Sequence, residues 1–303
     1  MGTPQAAAVS LERLLSDGLE IAAVYTQPDR PSGRGNKITF SPVKQVALDR
    51  GLPVLQPTKI RTPEAIEEFR SFKADVAVVV AYGRILPDTF LTAFPKGAIN
   101  VHFSLLPKYR GAAPVNWAIV NGETKSGVTT MSMDAGLDTG DILLQRETSI
   151  GDDETSVELM ERLSMIGADL LSETLRDLSH LTAVKQDDSL ATFAPIMTKE
   201  DGRIDWSDPA EKIVRMIRGF QPFPTTYATL EGKKLTIWKA LSQTDSSDAE
   251  PGTVLVAKGD DLVVKCGGTT ALKIVELQLE GKRRMPARDI LNGGLIRVGS
   301  KLG

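Results

Sequence analysis

Residues 75–81 read Asp75-Val76-Ala77-Val78-Val79-Val80-Ala81. A continuous, β-branched apolar run with no polar alternation suits a strand covered on both faces, as in a parallel sheet. Working outward, residues 97–103 (GAINVHF) read as a second strand and residues 21–25 as an earlier one. Residues 127–133 and 142–148 read as two later strands. Helical patterns fall between them. Ser41-Pro42 opens a helix, with serine as N-cap and proline in the first turn, and Gly51 closes it. Thr62-Pro63 opens another, and residues 114–120 form a short one. Residues 155–178 are the longest, with Leu159, Leu163, Ile166, Leu170 and Leu171 recurring at spacings of three and four. Strands alternating with helices predict βαβ units and a doubly wound, mainly parallel α/β sheet.

The texture changes near residue 182. Residues 182–201 are polar and unpatterned, contain Pro195, and read as a linker. Residues 1–181 are therefore expected to form one domain and 202–303 a second. The latter shows one helix (209–218) and closely spaced short strands at 227–230, 235–240, 252–256, 262–265 and 271–279, the pattern of a small β-barrel.

The 303 residues are 41% hydrophobic and 25% charged, with a formal net charge of −3, which argues against a bulk nucleic-acid binder. Any RNA contact must use local basic patches. No run approaches the 18 or so apolar residues of a membrane span, and the start lacks a secretory pattern, so a cytoplasmic protein away from membranes is expected. One cysteine and two histidines make a metal site unexpected. Cys266 reads as a buried small hydrophobe and His180 as a surface residue at a helix end.

The chemistry centres on Asn100 and His102. Two apart near a strand's end, they point to one face, where an amide donor and an imidazole can hold an oxyanion and transfer a proton. Asp138 lies in the glycine-rich turn Gly136-Leu137-Asp138-Thr139-Gly140 and can orient the imidazole as a cation. On spacing alone a structural role is the commoner one for all three.

The run from Asn100 through His102, Ser104, Leu105, Leu106, Pro107 and Arg110 to Pro114 resembles the signature of folate-dependent formyltransferases. So does the run from Met133 to Asp141. The resemblance implies a Rossmann-like catalytic domain and an OB-like C-terminal barrel. It implies 10-formyltetrahydrofolate as donor and Asn100, His102 and Asp138 as the catalytic residues. Ser104, Leu105, Leu106 and Pro107 match a folate-contacting stretch. Tyr82, Arg84, Ile85 and Leu86 match the loop lining the pterin pocket. Over its whole length the chain is similar to the branch of the family that formylates the α-amine of initiator methionyl-tRNA. The alternatives are another small-molecule amine, or an RNA-binding relative with weak catalysis. A loop carrying Arg30, Arg34, Lys37 and Lys44, with Arg34 matching a key arginine, implies tRNA contact, as does the cluster Lys282, Arg283 and Arg284. Trp206 and Trp238 read as core residues rather than stacking platforms. A monomer is expected. The resemblance also implies a short apolar strand ahead of a Gly-Thr-Pro turn. Here Gly2-Thr3-Pro4 follows Met1 directly, so a central strand is expected to be missing and the core beside it open.

Overall fold

The computed structural model describes residues 1–32 and 37–303; the side chains of residues 31, 32, 37 and 38 lie outside the description. The chain divides into two compact units. The first comprises Met1–Pro114, Lys125–Ser149 and Met160–Ala194, and the second comprises Val115–Thr124, Ile150–Leu159 and Pro195–Gly303.

In the first unit, β1 (Val24–Tyr25) pairs in parallel with β2 (Val54–Leu55), and β3 (Ala77–Val79) in parallel with β4 (Ala98–His102). The run 75–81 forms β3: Ala77 and Val79 are buried and Val78 partly so, β4 is buried throughout, and Phe69, Phe90 and Phe94 pack beneath β3 with ring centroids 4.2 and 4.8 Å from Phe69. The helix starts are capped as expected. Ser41 Oγ accepts from Lys44 N–H, and Thr62 Oγ1 from Ala65 N–H.

The later strands depart from the parallel expectation. β5 (Lys125–Ser132) runs antiparallel to β4, and β6 (Ile142–Ser149) antiparallel to β5. Residues 133–141 join β5 to β6, too few for the crossover that parallel neighbours need, so the pair closes as a hairpin. The apolar runs showed that these strands are buried, which does not fix their direction. The helix Ser156–Asp177 covers this part of the sheet: a Cβ at Gly167 would meet Val101, Phe103 and Val128 side chains at 3.2–3.4 Å, and Leu163, Leu170 and Leu171 are buried.

The lane between β1 and β3 holds two residues rather than a strand. Gly2 N–H donates to Tyr25 O at 2.9 Å, Val80 N–H donates to Met1 O at 2.9 Å, and the Met1 amine donates to Val78 O at 2.7 Å. Beside them a cavity of about 150 Å³ is lined by Met1, Leu11, Leu14, Val24, Phe72 and Val76, among others. The core is open beside this lane. Burial pushes the Met1 amine down to about 5 from its ordinary 8.0.

Residues 182–194, read as unpatterned linker, belong to the first unit. Val184 bridges Ile142, and Phe193–Ala194 pairs in parallel with Arg110–Gly111. Most of these residues are exposed, but Gln186 is only 5% exposed and its amide bonds inside the first unit.

In the second unit five strands run antiparallel in the spatial order β7, β8, β11, β10, β9. These are β7 (Thr226–Leu230), β8 (Lys233–Thr244), β9 (Val254–Lys258), β10 (Asp261–Lys265) and β11 (Thr270–Leu279). β12 (Met285–Pro286) pairs with β11. The helix Ala210–Gly219 inserts Ile213 and Ile217 against Leu235, Ile237, Val264 and Leu272. Residues 300–303 bond to both outer strands. Val254 N–H donates to Ser300 O and Leu302 N–H to Gly252 O, while Thr229 and Gly303 exchange two bonds. Trp206 is buried in this core as expected. Cys266 is too, and burial raises its thiol to about 12.

Candidate active site

β4 carries Asn100 and His102 on one face, 9% and 5% exposed. The imidazole is anchored at one end: its Nε2 lies 2.9 Å from Tyr109 O. A carbonyl only accepts, so Nε2 carries the proton. Nδ1 faces Asp138, whose Oδ2 is 3.6 Å away, just beyond hydrogen-bond length. Nδ1 is therefore left without a hydrogen bond from Asp138 while remaining close to the carboxylate. The Asn100 amide makes no hydrogen bond among the described residues, so its donors are unengaged although the residue is buried.

Asp138 is set in place by backbone geometry. It adopts φ 54°, the left-handed region that Asp tolerates better than most residues. Its Oδ2 accepts from Gly111 N–H at 2.8 Å. Around it, Thr139 Oγ1 and Gly136 N–H bond to Asp134, and Gly140 lies so close to the chain that a Cβ would fall 1.7 Å from Ser132 O. Asn100, His102 and Asp138 thus converge at the end of β4.

The stretch after His102 is fixed to the same sheet. Ser104 O accepts from Thr129 Oγ1 at 2.7 Å, Ser104 Oγ donates to Lys108 O, and Leu106 O accepts from Gln145 Nε2 at 2.8 Å. Leu105 and Pro107 are half-buried. In the other loop, Tyr82 and Leu86 are core residues and Ile85 is 75% exposed. Arg84 donates to Gln27 Oε1, Pro57 O and Thr58 O, which pins the loop.

The basic residues separate. Arg30 is exposed at the edge of a short hairpin, Arg30–Ser32 with Lys37–Thr39; Arg34 and the Lys37 side chain lie outside the described residues. Lys44 is not a free cation. Its Nζ is 2.5 Å from Asp29, bonds Gln56 and sits over the Phe40 ring, because the acidic partner lies just before the loop. Lys282 and Arg283 are exposed. Arg284 pairs with Glu276 and lies over Trp238, whose Nε1 donates to Gln278. His180 is exposed, and no cluster that could hold a metal occurs among the described residues. Arg110 and Gln186 are two buried polar residues beside Asp138 that the sequence did not single out: one was hidden in a motif, the other in a polar stretch without periodicity.

The formyl transferase family model matches residues 1–175, and the formyl transferase C-terminal domain model matches residues 196–295. A methionyl-tRNA formyltransferase of Geobacter metallireducens is 48% identical over all of this chain and 97% of its own length. One from Caldanaerobacter subterraneus is 50% identical over all of this chain and 98% of its own. Among solved structures, an N-formyltransferase from Helicobacter canadensis in complex with folinic acid and dTDP-3-aminofucose aligns with TM-score 0.68 and 20% identity. It covers 90% of this chain and 96% of that one. HypX from Aquifex aeolicus with tetrahydrofolic acid aligns at 0.59 and 18%, over 84% of this chain and 45% of its own. On both of its matched segments, the chain belongs to the formyl transferase family.

Proposed function

We propose that this enzyme transfers the formyl group of 10-formyltetrahydrofolate to the α-amine of methionyl-initiator tRNA, giving formylmethionyl-tRNA for translation initiation. The observation that carries this reading is the end-to-end match, at about half identity, to relatives named methionyl-tRNA formyltransferase. It acts as a cytoplasmic monomer on a soluble co-substrate.

The amine attacks the formyl carbon and forms a C–N bond. The Asn100 amide and Nδ1–H of protonated His102 donate to the developing oxyanion. The Nε2–H bond to Tyr109 O and the neighbouring Asp138 carboxylate fix the orientation of the ring. As the intermediate collapses, the bond to N10 breaks and the amine's proton passes to N10 through a water ordered by Asp138. Ser104, Leu105, Leu106 and Pro107, with Tyr82, Arg84, Ile85 and Leu86, form the folate-binding walls. Supplying labelled 10-formyltetrahydrofolate with charged initiator tRNA should label the methionine; label that stays in folate or turns up as free formate would defeat the reading.

In this reading residues 202–303, within the second unit, form an OB-like barrel whose two outer strands are joined by residues 300–303. Arg30, Arg34 and Lys37 in the first unit, and Lys282 and Arg283 in the second, meet RNA phosphates. Lys44 and Arg284 buttress these surfaces. The three whose side chains are described as exposed, Arg30, Lys282 and Arg283, would by themselves weaken tRNA binding roughly 40-fold between about 50 and about 200 mM salt. Arg283→Ala should flatten the log–log slope by about 0.9. A binding constant insensitive to salt would rule out the phosphate contacts.

A further inference from the structure

Asp138 is held from behind by a closed ring of hydrogen bonds. Gln186 Nε2 donates to Asp138 O at 2.8 Å and to Gly140 O at 2.7 Å, clasping the turn on both sides of the carboxylate. Gln186 Oε1 accepts from Arg110 Nε at 3.1 Å and Nη2 at 2.8 Å. Because Arg110 can only donate, the amide has one orientation: its oxygen must face the guanidinium and its NH₂ the two carbonyls. Arg110 is 4% exposed, and its Nη2 also meets Asp188 Oδ1 at 2.8 Å. The next residue, Gly111, supplies the N–H that holds Asp138 Oδ2. The ring therefore runs from the Arg110 side chain through Gln186 and Asp138 back to the backbone beside Arg110.

We propose that Gln186, oriented by Arg110, is a positioning residue that fixes the Asp138 carboxylate relative to Nδ1 of His102. The inference rests on the catalytic reading of Asp138 above. Asp138 sits at positive φ, where its main-chain conformation needs an outside tether. Its carboxylate stands 3.6 Å from the imidazole, a separation at which displacement by an ångström changes the chemistry. Turning the Asp138 peptide would break the bond from Gln186, so the amide transmits the rigidity of the buried arginine to the turn.

The experiment is a double-mutant cycle on kcat with saturating formyl donor. Gln186→Met keeps the length and removes every hydrogen bond. It is expected to lower kcat by roughly 10–100-fold, with KM for the folate donor changed by less than about two-fold. In the Asp138→Ala background the same substitution should cost less than about two-fold, because its target is gone. An equal loss in both backgrounds, or an unchanged kcat in the single variant, overturns the proposal. Normal turnover in Asp138→Ala would overturn the catalytic reading and this one with it; loss there with Gln186→Met fully active would overturn this one alone. Arg110→Lys keeps the buried charge but not the two-pronged grip. It substitutes if Gln186→Met fails to fold and should show the same dependence on Asp138.

Discussion

Asn100→Ala is expected to lower formyl transfer by roughly 10²–10³, equivalent to about 2.7–4 kcal/mol of transition-state stabilisation, while the melting temperature stays close to that of the parent. The two halves of this expectation have separate causes. The Asn100 amide has no partner among the described residues, so deleting it strands no buried donor or acceptor. In the proposed mechanism its role begins only when a negative oxygen develops in front of it. Asp138→Ala should lose turnover on a similar scale. It carries a stability penalty as well, since it frees Gly111 N–H and leaves alanine at φ 54°. Single-turnover rates with thermal melts separate the effects. Asn100→Ala with parental turnover would remove the amide from the chemistry, whatever Asp138 does.

The second large effect concerns stability. The Met1 amine is buried between β1 and β3 and held near 5, against 8.0 for an exposed terminus. Between those values the unfolded chain carries a proton that the folded chain refuses, so the unfolded state binds more protons and stability rises with pH. The unfolding free energy is expected to fall by about 3 kcal/mol from pH 8 to pH 5 through this group, and to be flat with respect to it above about pH 9. Other groups titrate in the same window, so the comparison is with protein acetylated at Met1. An acetyl amide keeps an N–H for Val78 O and carries no charge. The adjoining cavity of about 150 Å³ has room for it. Denaturant melts at several pH values should show a shallower slope for the acetylated form. Parallel slopes would show that the amine is hydrated and charged in the folded protein.

Much of the first unit was legible because local chemistry and tertiary role coincide there. The valine-rich run has to be an interior strand, Ser41 and Thr62 cap the helices their spacing announces, and Asn100 and His102 share a face by strand periodicity alone. Direction was not legible. β5 and β6 are buried like parallel strands yet form a hairpin, and only the length of the connection decides between the two. The clasp behind Asp138 was invisible for a different reason. Gln186 lies 48 residues from the carbonyl it binds, in a stretch whose polarity is indistinguishable from that of a solvated linker. The pairing of Lys44 was not legible either, because Asp29 stands just outside the basic loop.

The four residues that end the chain have a consequence of their own. A bare outer strand offers a ladder of unpaired amides and carbonyls on which a neighbouring molecule can build. Here residues 300–303 cover such positions at Gly252 and Val254 on one side and at Thr229 on the other, and bury Leu302 at 3% exposure. The terminus acts as a selvedge, the woven border that keeps cloth from unravelling. Cutting it is expected to bare backbone positions on both outer strands of the second unit and to show as self-association in size-exclusion chromatography.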